Sequence, residues 1–157
     1  MNKIRNTQNY AIGMADLLKS SEDLMIQVGK DLKEAENTSF EGRVFTYGRG
    51  GPGGVIPFRN ASEKAWVALY QSVDVLIDHF LKHTVKAHYE RKLKLRELEE
   101  KFPNLASDRF YDRYAARAAH IRNNINYYTS KDLEFLAWEI GKANELISDI
   151  KKIVDKK

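Results

Sequence analysis

Cysteine is absent from the 157 residues. Disulfides and thiolate metal sites are therefore excluded, and the absence fits a reducing cytosol. Proline occurs three times and glycine nine times. No run approaches the roughly 18 uninterrupted apolar residues that a membrane span needs, so no membrane association is expected. A secretory leader is not expected either. Lys3 and Arg5 mimic a charged start, but Asp16 interrupts the short apolar stretch behind them. Together these absences favour a cytoplasmic location. What is present describes a folded chain: 43% hydrophobic and 31% charged residues. The length suits one domain over 1–157. A domain of that size buries about 68–70% of its unfolded surface and needs no covalent staples.

The net charge is +4, and its distribution says more than its total. Residues 82–122 carry 11 Lys/Arg against 6 Asp/Glu, while the rest of the chain carries 15 against 16. A local excess of this kind favours a polyanion such as RNA, or forms a solvated face of mixed charge.

Helical periodicity dominates. Met14, Leu17, Leu18, Leu24, Met25, Val28 and Leu32 predict a first helix over 7–36. Residues 37–59 break the pattern, holding six of the nine glycines and two of the three prolines. They read as a long loop, with its glycines in 42–54 and a short extended piece at 43–47. Asn60, with Glu63 three residues on, predicts an N-cap. Ala65, Trp66, Leu69, Tyr70, Val73, Leu76, Ile77 and Phe80 then form one apolar face. A charged third helix over 85–101, with only Leu93, Leu95 and Leu98 as large apolar residues, belongs at the edge of a bundle. A fourth helix is expected over 107–126. Thr129 and Asp132 then cap a fifth, which runs through Leu133, Leu136, Ala137, Ile140, Ile147, Ile150 and Val154. The fold class is therefore all-α: an antiparallel up-and-down bundle of four long helices and a shorter one.

Three apparent motifs carry little. Gly48-Arg49-Gly50-Gly51-Pro52-Gly53 spells a dinucleotide fingerprint, but the strand-to-helix setting that gives those glycines meaning is missing. His79 and His83 are four apart beside Asp78, yet no third ligand accompanies them. No Glu has His three residues later, which removes a di-iron bundle. No metal and no cofactor are expected.

Arg122-Asn123-Asn124-Ile125-Asn126-Tyr127-Tyr128 is more informative. It resembles the signature of HEPN domains, in which Arg, often followed by Asn, precedes His by four to six residues. Asn60-Ala61-Ser62-Glu63-Lys64-Ala65-Trp66 is similar to the start of a helix in prokaryotic HEPN families. The stretch Asn126 to Ser130, with the helix behind it, is similar to their last turn and final helix. The likeness spans Asn60 to Val154. It implies a homodimer, RNA or nucleotide as ligand, a place in a defence or toxin–antitoxin system, and a nucleotidyltransferase as possible partner. It also implies metal-independent RNA cleavage in the active members of the family. The chain departs from them at one decisive point. In the simplest register Tyr127 stands where the family has His, and the next two residues are Tyr128 and Thr129. Tyrosine is a poor base near pH 7, although it donates hydrogen bonds and stacks.

Arg122, Asn123 and Asn126 are thus expected to contact phosphate or base edges, with Tyr127 as a weak catalytic candidate and Tyr128 as a stacking group. On a straight helix Tyr111, Tyr114, Ala118, Ile121 and Ile125 share one face, and Arg122 projects within about 60° of its centre. Arg109, Arg113, Arg117 and His120 fall on roughly the opposite side as a basic stripe. Two readings of the stripe stay open: an RNA-backbone track, or a solvent face partly neutralised by Asp108 and Asp112. The leading expectation is a binding module of weak or absent catalysis. An endoribonuclease using Arg122 with Tyr127 or His120, and a protein-interaction role for stripe and glycine loop, are the alternatives.

Overall fold

The computed structural model describes residues 2–40, 55–124 and 133–156. Among them the secondary structure is helical throughout, and the fold is an all-α bundle. Helix α1 spans Asn2–Phe40 and α2 spans Val55–Leu81. Helix α3 covers His88–Lys101, α4 is the single turn Pro103–Ala106, and α5 covers Phe110–His120. A 3-10 turn at Arg122–Asn124 follows, and α6 runs over Leu133–Asp155. No helix among the described residues is long and apolar enough to cross a membrane.

Helix α2 is the central element. It packs along α1 and α6 and also meets α3 and α5. Ala61, Ala65, Ala68, Leu69, Val73, Leu76 and Ile77 are all essentially inaccessible; of the expected apolar face Trp66 is buried too, while Tyr70 and Phe80 are half-buried. Small residues near its start allow close approach of Val28, Leu136 and Ile140, which form one cluster with Ala61 and Ala65. Farther along, Trp66, Leu69, Leu76 and Ile77 join Leu95 and Leu98 of α3, Phe110, Tyr114 and Ile121, and Leu146 and Ile150 of α6. Ser21 and Ser72, both buried, turn their hydroxyls back onto the carbonyls of Leu17 and Leu69, so no polar group is stranded there.

Several element boundaries differ from the sequence-based expectation: α1 spans Asn2–Phe40 rather than 7–36, so 37–40 and 55–59 of the expected loop are helical, and α3 starts at His88 rather than at 85. Helix α2 begins five residues before Asn60, so Asn60 lies inside the helix rather than capping it. Pro57 falls in the first turn, where a missing N–H costs nothing, so it permits the earlier start. Residues 41–54, with the glycine-rich core of the expected loop and the piece at 43–47, lie outside the described residues.

The expected fourth helix is broken in two places. Arg109 adopts a left-handed backbone with φ 54°, which separates the single turn α4 from α5. After His120 the chain tightens into the 3-10 turn, so Arg122 sits past the end of α5 and not on its helical face. The capping pair expected at Thr129 and Asp132 lies outside the described residues.

Candidate functional site

Buried charge locates the first group of interest. Arg91 of α3 is 9% exposed and reaches across to Asp74 of α2, with Nε at 2.6 Å and Nη2 at 3.0 Å from its carboxylate oxygens. This two-point geometry is the strongest a guanidinium offers. Burial lifts the Asp74 carboxyl above its usual range, and Arg91 pulls it back down. The Arg91 guanidinium also lies 4.4 Å from the centre of the Tyr70 ring, and its charge acts on Tyr114.

Tyr114 of α5 extends the group. Its hydroxyl lies 2.8 Å from Nδ1 of His88 at the start of α3. Burial pushes the phenol up to about 12, so its proton stays in place at neutral pH. Two tautomers satisfy this pair: the hydroxyl donates to Nδ1, or Nδ1–H donates to the hydroxyl oxygen. Burial lowers the His88 pKa, and the charges of Arg122, Lys92 and Arg91 lower it further. At neutral pH His88 is thus an uncharged imidazole with one N–H to donate. Trp66 walls the group, stacked on Tyr114 at 5.5 Å and edge-on to His88 at 5.7 Å.

Arg122 lies in the 3-10 turn, which packs against α2 and α5. It is exposed, and it hydrogen-bonds the Asn123 side-chain oxygen at 3.3 Å. Among the described residues it has no carboxylate partner. Its charge acts on both His88 and Tyr114. Sequence spacing offered Arg122 no histidine downstream; the histidine on which its charge acts lies 34 positions upstream in the chain. Asn126, Tyr127 and Tyr128 lie outside the described residues.

The expected basic stripe has a different fate. Arg109 pairs with Asp112 at 3.1 Å on the surface, and Arg113 pairs with Asp149 of α6 at 2.8 Å. Arg117 is not on a solvent face at all: it is 8% exposed, because α6 lies across that side of α5. Its Nε stands 2.6 Å from Oε2 of Glu139, which is completely buried. The two atoms meet without hydrogen-bond alignment, so the contact is ionic. His120 approaches the other oxygen of Glu139, with Nδ1 at 3.0 Å. Each member of the stripe therefore faces a carboxylate, and two of the acids, Glu139 and Asp149, come from a helix that the local spacing did not bring into view.

A shallow groove of about 450 Å³ runs along this face, lined by Arg109, Arg113, Arg117 and Lys142 with Asp108, Asp112 and Glu145. A separate cavity of about 420 Å³ lies by the end of α2, where Lys19 and Lys82 are balanced by Glu22, Asp78 and Asp155. His83 lies beyond the end of α2 and pairs with Glu90, so it shares no helical face with His79. Among the described residues no group of three metal-ligating side chains converges. Comparison with known protein families, with curated proteins and with solved structures finds no match to this chain.

Proposed function

We propose that the chain is a HEPN-type module that binds RNA or a nucleotide through phosphate, with little or no catalytic power. The observation that carries the reading is the contrast between Arg122 and the other arginines of this region. Arg109, Arg113 and Arg117 each have a carboxylate at hand, whereas Arg122 is exposed with none among the described residues. An exposed guanidinium with no acid beside it among the described residues suits an incoming phosphate oxygen. The homodimer, the nucleotidyltransferase partner and the defence or toxin–antitoxin setting implied by the family resemblance belong to the same proposal.

The test is a titration with short fluorescent RNA at two salt concentrations, followed on a gel for cleavage. Salt-sensitive binding is expected, with intact RNA throughout. Arg122→Ala should weaken it and reduce the slope of log affinity against log salt by about 1. Arg109→Ala, which removes an already paired surface charge, should change it far less. Binding unaffected by Arg122→Ala would overturn the assignment of the contact.

One observation favours a second reading, a metal-independent endoribonuclease. His88 stands in the field of Arg122 and is uncharged at neutral pH, supplying a histidine that the linear motif lacks. Nδ1 of that imidazole is already engaged with the Tyr114 hydroxyl, which leaves one ring nitrogen for a substrate, and binding therefore ranks first. Cleavage that disappears in both Arg122→Ala and His88→Gln would reverse that order.

A further inference from the structure

Two large aromatic side chains on α6 stay in water although a bundle of this size has a core to receive them. Phe135 is 43% exposed and Trp138 is 56% exposed. Their rings are 6.4 Å apart, with planes inclined by 28°, so they form a shelf of two nearly parallel faces. His120 meets Phe135 edge-on at 5.7 Å, which carries the shelf towards the turn that holds Arg122. At the other end Lys142 Nζ lies 5.3 Å from the centre of the Trp138 ring, and the Arg117 guanidinium lies 6.0 Å from it. Arg117 and Lys142 also line the groove that continues past Arg113 to Arg109. Its acids are Asp108, Asp112 and Glu145, of which Asp112 is engaged by Arg109 and Glu145 by Lys142 at 3.9 Å.

We infer that this shelf takes unpaired nucleobases of single-stranded RNA on Phe135 and Trp138, with Lys142 at its rim beside the backbone. The inference deepens the RNA reading above and rests on it. Exposed aromatic faces accept any base, because every base has a π-face, and rim cations complement the phosphates one sugar away. An apolar protein partner would find the same rings bordered by lysine and arginine, whose desolvation it could not compensate. The surface therefore favours a polyanion with planar groups, and predicts uptake tolerant of sequence.

Intrinsic fluorescence isolates the event. The chain has two tryptophans, and Trp66 is only 8% exposed, so a bound base quenches Trp138. Wild-type protein is titrated with a ten-nucleotide oligouridylate and with an abasic oligomer of equal length. The oligouridylate should quench Trp138 and bind about 5- to 100-fold more tightly than the abasic strand, the range that stacking of one base supplies. Trp138→Ala and Phe135→Ala should each erode that preference and leave a salt-dependent residue, which Arg122→Ala then reduces. Equal binding of both oligomers, with Trp138 unquenched, sinks the shelf and leaves the phosphate reading standing. Binding of neither sinks both. A blue shift of Trp138 emission that grows with protein concentration in the absence of RNA, with doubling of the sedimenting mass, assigns the shelf to a second copy of the chain and overturns the inference.

Discussion

Glu139 illustrates how one residue constrains a whole contact. A fully buried carboxylate is tolerable only because Arg117 and His120 both face it. Removing one member leaves the other charge stranded in the interior. Glu139→Leu or Arg117→Leu alone should therefore cost about 3–5 kcal/mol of stability. The double variant, which strands nothing, should recover most of that loss and approach wild type. Denaturant unfolding of the four proteins measures it; single variants within about 0.5 kcal/mol of wild type would show that the pair is open to water. The same logic explains why α5 was half legible. Of its expected apolar face, Tyr114, Ala118 and Ile121 are buried and Tyr111 is half-buried, while Ile125 lies outside the described residues. The supposed outer face is covered as well, by an acid from α6 that lies 22 positions beyond Arg117 in the chain.

At the scale of the element, helix interiors followed the pattern and helix ends did not. Interior positions repeat one signal many times, whereas an end depends on a single turn. Helix α2 stops at Leu81 because Lys82 turns left-handed, with φ 53°, and bonds its N–H to the Asp78 carbonyl at 2.9 Å. That position favours glycine. Lys82→Gly should raise stability by up to about 1 kcal/mol, since a side chain there costs roughly 1–2 kcal/mol and glycine returns part of the gain as chain entropy. The expected rise in Tm is about 2–4 °C for a domain of this size. Lys82→Ala, which keeps the Cβ, is the control and should bring no gain. Equal effects of the two would exclude backbone relief. The end of α5 matters more for function, because the 3-10 turn takes Arg122 off the helix on which a straight 100° projection had placed it.

Across the whole molecule, the group that includes Asp74, Arg91, Tyr114 and His88 ties α2, α3 and α5 together and makes stability depend on pH. The native His88 pKa lies below its ordinary value of 6.5, chiefly through burial and then through the charges of Arg122, Lys92 and Arg91. Between that depressed value and 6.5 the unfolded chain binds more protons than the native one. Stability therefore rises with pH in that window: it falls as pH drops below about 6.5 and levels off beneath the native pKa. Thermal unfolding from pH 5 to 8 should show that slope in wild type and less of it in His88→Gln. Parallel curves for the two proteins would mean that His88 titrates normally. Glutamine keeps a donor but cannot be protonated, so the comparison isolates the imidazole charge.

Class of fold and much of the core were determined by sequence alone, because apolar residues at helical spacing report burial from a window of one or two turns. The middle of the chain was correctly read as rich in cations, and Arg122 was singled out. What each cation does was decided only by tertiary structure. Arg113 meets Asp149 36 positions away, His120 meets Glu139 19 away, and His88 meets Tyr114 26 away. Such pairings join separate helices, and no local period encodes which carboxylate crosses to which guanidinium. The exposure of Phe135 and Trp138 was likewise invisible in a list of aromatic residues, since it depends on which side of α6 the rest of the bundle leaves uncovered.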